Sequence, residues 1–231
     1  MLKINQKIIN QCYSEWAREY DKNAELNPLI IKDYPIILRL LNVKKNDIGL
    51  DLGCGTGLLT LKIAKKVKKI IGVDFSEKML NIAKSKIKPN SNIEFLQMNI
   101  SKKIDFPNSY FDFVVCSLTL SHIKNLKRLY QEVHRILKKN GIFVYDDQTS
   151  ELKEPFAPKY KDYLAKYSSK EHRLWIKHSL QEHLYLIDKT GFKIEKIIVT
   201  KIDKELKNTL IPDSYKKNEG CFLTTVFKIG K

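Results

Sequence analysis

The chain has 231 residues, 43% of them hydrophobic and 29% charged, which suits a packed globular protein of one domain and excludes a disordered or fibrous one. No apolar run approaches the ~20 residues that span a bilayer, and the start, MLKINQKIINQ, lacks the apolar stretch of a secretory leader, so a cytoplasmic location is expected. The four cysteines, Cys12, Cys54, Cys116 and Cys221, have neither CxxC nor metal-ligand spacing, so they read as reduced thiols, with no metal site indicated.

The net charge of +16 raises the question of a nucleic-acid partner, because clustered cations release phosphate counterions on binding. Only five of the 42 basic residues are arginine, however, and 37 are lysine. Arginine is the better fork for phosphates and base edges. Abundant Lys, Ile and Asn point first to a genome-wide compositional bias, so a nucleic acid stays open as a partner without being favoured.

In chain order, Ile4 to Glu19 and Leu29 to Leu41 read as two helices. Pro28 is suited to a helix start, and Pro35 is expected to make the second helix irregular. From Ile48 short apolar runs alternate with amphipathic ones, the pattern of parallel strands joined by crossover helices. Strands are expected at Ile48 to Leu52, Lys69 to Asp74, Asn92 to Met98, Phe111 to Ser117 and Gly141 to Asp146. Helices are expected at Leu58 to Val67, Ser76 to Ile87 and Asn125 to Leu137, with Ser76 as an N-cap and Gly141 as a C-terminal stop. A stretch rich in Lys, Tyr and Pro, Thr149 to Lys170, follows as an insertion. A last helix, His178 to Lys189, ends at Gly191, and two strands, Phe192 to Thr200 and Phe222 to Ile229, close the chain.

The fold predicted is α/β, a doubly wound, mostly parallel seven-stranded sheet. Residues 1–231 form one domain in this reading. It divides into an N-terminal helical lid at 1–45, a ligand-binding core at 46–148, an insertion at 149–177, and the last helix and strand pair at 178–231.

The strongest local signal is Asp51-Leu52-Gly53-Cys54-Gly55-Thr56-Gly57, set between a strand and a helix. Glycines there let the chain turn sharply and let a ligand approach the backbone. A dinucleotide fingerprint, GxGxxG, would need a small residue at position 58, which is Leu58; here the third glycine is Gly57. Asp51 beside the turn would repel a pyrophosphate and suits a ligand carrying an ammonium group. Asp74, closing the second strand, can accept from both hydroxyls of a ribose or cap the helix that begins at Ser76.

With these motifs in order, the chain resembles the class I S-adenosylmethionine-dependent methyltransferases of the small-molecule type, similar to the ubiquinone/menaquinone-biosynthesis-like group. The resemblance is carried by WAREYD at Trp16–Asp21, the DLGCGTG turn, IIGVDFSEKML, SYFDFVVCSLTLSHI, HRILKKNGIF and LIDKTGFKI. It implies a Rossmann-like methyltransferase fold that binds S-adenosylmethionine and releases S-adenosylhomocysteine. By this resemblance Gly53, Gly55 and Gly57 pack against the methionine part and sugar, and Asp51 lies near the amino group. Asp74 holds the ribose, Phe75 and Met79 border the adenine, and Tyr20 closes over the cofactor. The family usually has an Asp at the end of the third strand; Asn99 stands there, still able to accept from the adenine amine, with the Ile100 N–H meeting the ring.

Methyl transfer from a sulfonium needs chiefly that the nucleophile be aligned with the S–CH₃ bond, and orientation of that kind is worth ~7 to 11 kcal/mol. If a base is used, His122 after the fourth strand is the candidate, with a polar loop residue as the alternative. Asp146, with Asp147, ends the fifth strand at the same edge, where it could hold an acceptor's amine or hydroxyl or equally cap a turn before Glu151. Tyr13 either lines the pocket or packs in the core, and His134, His172, His178 and His183 read as surface residues.

Lys65, Lys66, Lys68, Lys69, Lys84, Lys86, Lys88, Lys138 and Lys139 fall at or just beyond helix C-termini, away from the ligand edge. Lys159, Lys161, Lys166, Lys170 and Lys177, interleaved with Tyr160, Tyr163 and Tyr167, could instead serve an RNA or acidic acceptor, while those tyrosines and Trp175 either wall an apolar acceptor pocket or pack the insertion onto the sheet. A small-molecule acceptor is the leading expectation. An RNA or protein methyltransferase, a non-catalytic S-adenosylmethionine-binding protein and a nicotinamide oxidoreductase are the alternatives.

Overall fold

A computed structural model describes residues 6–24, 27–148, 176, 178–201 and 222–231. Two helices, α1 (Gln6–Ala24) and α2 (Pro28–Leu41), precede the sheet. Then follow β1 (Ile48–Leu52), α3 (Leu58–Ala64), β2 (Lys69–Asp74), α4 (Glu77–Ser85), β3 (Ile93–Gln97) and β4 (Phe111–Cys116). After a 3-10 turn at Leu120–His122 come α5 (Leu126–Ile136), β5 (Leu137–Asp147), α6 (Leu180–Lys189), β6 (Lys193–Lys201) and β7 (Phe222–Gly230).

These strands form one sheet in the order β3-β2-β1-β4-β5-β7-β6. The first five neighbours pair in parallel, whereas β7 runs antiparallel to both β5 and β6. The doubly wound, mostly parallel sheet read from the sequence is therefore the fold, with β7 the one reversed strand. The order reverses between β1 and β4, and open sheets of this kind bind ligands beyond the strand ends at that switch point.

Burial on both faces explains the continuous apolar runs of the central strands. Leu50, Leu52, Val114, Phe143 and Tyr145 sit under α5 and α6 on one side, while Ile70, Phe113, Val115 and Val144 face α2 and α3 on the other. Gly49 is required by this packing, since a Cβ there would lie 1.9 Å from the Phe113 ring.

Local signals account for most helix ends. Asn27 caps α2 by accepting from the Leu29 N–H at 3.0 Å, and Pro28 occupies the first turn, where its missing N–H costs nothing. Ser76 caps α4, and Gly191 takes the left-handed conformation, φ 82°, just past α6.

Two local expectations fail. Pro35 does not interrupt α2, because Ile37 and Leu41 anchor the helix on the sheet and outweigh the lost backbone bond. Gly141 is not the stop of α5, which ends at Ile136 and passes directly into β5. Gly141 instead lies inside β5, where a Cβ would meet the Lys138 and Asp112 carbonyl oxygens at about 3 Å. Most of the expected insertion, and the polar segment between the last two strands, lie outside the described residues. Cys12, Cys54 and Cys116 are buried, and among the described residues no helix is long and apolar enough to cross a membrane.

Candidate functional site

An open cleft lies over the C-terminal ends of β1, β2 and β4, beneath α1, at the edge where sheets of this kind bind ligands. Its floor is the glycine turn. Gly53, Gly55 and Gly57 all have positive φ, at 73°, 54° and 81°, conformations that cost a residue with a Cβ ~1 to 2 kcal/mol. Gly53 N–H and Cys54 N–H both donate to the Val73 carbonyl, which folds the turn back onto β2. At Gly53 a Cβ would also collide with Thr119, whereas at Gly55 it would meet nothing within 4 Å. The bare backbone of Gly55 thus faces open cleft. Gly57 lies deeper, against Phe95 and Ala83, and does not line the cleft.

Asp74 borders the cleft where β2 ends. Its Oδ2 accepts from Gly55 N–H at 2.9 Å and its Oδ1 from Ser76 N–H at 2.8 Å. Both readings of this residue therefore hold in part: it braces the turn into α4, and each oxygen keeps a lone pair for a ligand. Burial raises its pKa while those backbone bonds oppose the rise. Phe75, Met79, Asn99 and Ile100 continue this wall, and Tyr20 descends from α1. The Asn99 side-chain oxygen Oδ1 accepts from Ser101 N–H at 3.0 Å, leaving a second lone pair.

Asp51 does not reach the cleft surface. It is 2% exposed, accepts from the Thr60 hydroxyl at 2.6 Å, and burial pushes its pKa up to about 7. A cation bound above the turn would favour its ionised form.

Opposite Asp74, the end of β4 and the 3-10 turn contribute Ser117, Leu118, Thr119, His122 and Ile123. Leu118 is held in the left-handed region, φ 54°, at a cost of order 1 to 3 kcal/mol. Asp146 holds it there, accepting from Leu118 N–H at 2.6 Å and from the Ser117 hydroxyl at 2.5 Å. Asp146 is fully buried, does not line the cleft, and is pushed by burial up to about 7. It shapes the turn rather than offering its carboxylate to an acceptor.

His122, 9% exposed, does line the cleft. Its Nε2 lies 2.8 Å from the Tyr13 hydroxyl, and its carbonyl accepts from Gln6 Nε2 at 3.4 Å. Tyr13 is thus a cleft residue. Together with Gln6, Ile9 and Tyr20 it forms one face of α1, a face that helical periodicity could suggest but that only tertiary packing assigns. Asp21 anchors the far end of α1 by accepting from the Thr56 hydroxyl at 2.5 Å and pairing with Lys86, whose ammonium also donates to the Thr56 carbonyl at 2.8 Å. Lys86 therefore braces the glycine turn instead of facing away from it.

The reading of His178 and His183 as surface residues is wrong: they are 2% and 0% exposed. His183 Nε2 lies 3.1 Å from Asp147 Oδ2 and its Nδ1 2.8 Å from the Tyr130 hydroxyl, which in turn bonds to Tyr145. His178 Nε2 meets the Ile123 carbonyl at 3.0 Å. His134 packs edge-on against Phe192. Their charged neighbours in sequence hid these positions, since α6 buries only one narrow stripe. His172, Tyr160, Tyr163, Tyr167, Trp175 and the lysines of the insertion lie outside the described residues.

The sheet order, the reversed last strand, and the glycine turn opposite an acidic strand end define an α/β fold of the class I methyltransferase type. Residues 50–145 match the family described as Methyltransferase domain. The chain is 33% identical over 171 residues to a demethylmenaquinone methyltransferase of Lactococcus lactis, an alignment covering 70% of this chain and 65% of that one. The chain matches under two thirds of that relative's length, and 60% of a Lactobacillus johnsonii demethylmenaquinone methyltransferase that is 30% identical. Among solved structures, an S-adenosylmethionine-dependent methyltransferase from Mesorhizobium loti superposes with a TM-score of 0.69 at 22% identity, over 86% of this chain and 97% of the other. That likeness establishes the fold.

Proposed function

We propose that the chain is a single catalytic domain that transfers a methyl group from S-adenosylmethionine to a small-molecule acceptor by direct in-line displacement. The observation that carries this reading is the pairing of Asp74 with the exposed Gly55 backbone across one 2.9 Å hydrogen bond at the cleft. A carboxylate so placed can take both ribose hydroxyls, and the bare glycine turn leaves room for the rest of the nucleoside.

The residues present fit the cofactor. Asp74 would hold the ribose, Phe75 and Met79 would flank the adenine with Asn99 and the Ile100 N–H at its edge, and Tyr20 would cover it. Gly53 and Gly55 would admit the methionine portion, with Asp51 behind them favouring its ammonium. Bound there, S-adenosylmethionine would supply a methyl group on an electrophilic sulfonium. The chain's part is then to exclude water with α1, to align the acceptor and to receive a proton if the acceptor carries one. Support for a small acceptor comes from the demethylmenaquinone methyltransferase relatives and from the cleft itself, where no described lining residue is Lys or Arg despite the net charge of +16. A phosphate-rich substrate would find no cation among the described residues that line it.

The test is to incubate the protein with methyl-labelled S-adenosylmethionine and a cell extract, then separate small molecules, RNA and protein. Label is expected in the small-molecule fraction and is expected to disappear with Asp74→Ala. Label in RNA or protein would overturn the acceptor class, and binding of the cofactor without any label would leave a non-catalytic binding protein.

A further inference from the structure

Tyr13 on α1 and His122 on the turn after β4 form a hydrogen-bonded pair that the cofactor leaves unused. The Tyr13 hydroxyl is 2.8 Å from His122 Nε2, the two rings meet edge-on at 5.3 Å, and both residues line the cleft. Two further contacts fix their geometry. Trp16 packs edge-on against Tyr13 at 5.2 Å, and Gln6 donates to the His122 carbonyl. Asp74, at the end of β2, already serves Gly55 and Ser76 with its two oxygens. Because Nε2 is turned toward the tyrosine, a proton reaching it from the cleft passes through the tyrosine hydroxyl.

We propose that Tyr13 is the group that takes the acceptor's proton during transfer, and that His122 behind it is the base that receives Tyr13's own. The proposal rests on the methyl-transfer reading and narrows it: the acceptor carries an ionisable hydrogen, as a hydroxyl, an amine or an acidic carbon, on the atom that becomes methylated. As that atom's electron pair forms the bond to the methyl carbon, the carbon–sulfur bond breaks and its electrons stay on sulfur. The acceptor's proton moves to Tyr13 Oη while the Tyr13 proton moves to His122 Nε2. The products are the methylated acceptor, the thioether, an unchanged tyrosine and an imidazolium that returns its proton to solvent. A relay of this kind contributes ~10²- to 10⁴-fold to a rate.

Two measurements test it. In the complex with S-adenosylhomocysteine, ¹⁵N spectra of the imidazoles, with His122→Gln to assign the signal, are expected to show neutral His122 with its proton on Nδ1 and Nε2 accepting from Tyr13. A proton on Nε2 would leave no base in the relay and overturn the proposal. In the label-transfer assay with the small-molecule fraction of the extract, Tyr13→Phe and His122→Gln are each expected to slow transfer at least ~100-fold. The double variant should be no slower than the slower single one, with S-adenosylhomocysteine affinity kept within about threefold, as for groups that act as a unit. Wild-type transfer that Tyr13→Phe leaves unchanged would overturn the relay alone. Affinity lost in step with rate would make the pair a structural latch. No transfer by the wild type would overturn relay and methyl-transfer reading together.

Discussion

Asp74→Ala is expected to weaken S-adenosylhomocysteine binding by at least ~100-fold. The carboxylate can accept from two ribose hydroxyls, and hydrogen bonds to a charged group are worth ~1.5 to 3 kcal/mol each; even one at the top of that range gives this factor. The substitution also orphans the Gly55 and Ser76 N–H groups, so the turn that must admit the ligand loses its brace. Asp74→Asn, which keeps a carbonyl acceptor but not the charge, should fall between the two. Isothermal titration of the three proteins, each first shown to unfold cooperatively, measures the series. An alanine variant within about threefold of wild type would show that the nucleoside is held elsewhere.

The second large effect is on stability. Replacing His183 by Ala leaves Asp147 Oδ2 and the Tyr130 hydroxyl without their partner in a region where His183 is 0% and Asp147 4% exposed. Breaking one side of a buried polar pair costs about 3 to 5 kcal/mol, which for a chain of this size lowers the melting temperature by roughly 6 to 20 °C. The network ties α6 and α5 to β5, so the loss should appear as a lower midpoint of one transition. His183→Phe combined with Asp147→Leu, which removes both polar partners and fills the space, should recover part of it. A midpoint moved by less than about 3 °C in His183→Ala would mean that the network contributes specificity of packing and little stability.

Much of this architecture was legible in the sequence, for local reasons. The spans of β1 and β2 follow directly from their apolar runs, because strands buried on both faces carry little else. Asn27, Pro28, Ser76 and Gly191 mark helix ends by chemistry confined to a few residues. Tyr20, Gly53, Gly55, Asp74, Phe75, Met79, Asn99 and Ile100 all line one cleft, whereas Asp51 and Gly57 do not.

What escaped the sequence depends on partners far along the chain. Tyr13 becomes a cleft residue only because α1 lies over His122, 109 residues away. His183 is buried because Tyr130 and Asp147 meet it from other elements, although Glu182 and Gln181 beside it suggest a wet surface. Asp146 looked available at a strand end, and the strained Leu118 turn that consumes its carboxylate has no signature in composition or periodicity.

The most direct test of the account is a calorimetric titration of the purified protein with S-adenosylhomocysteine and, separately, with NADH. One equivalent of S-adenosylhomocysteine is expected to bind per chain, with no saturable heat from NADH, since the turn places its third glycine at position 57 and leaves Asp51 beside it. Saturable NADH binding with none of S-adenosylhomocysteine would contradict it.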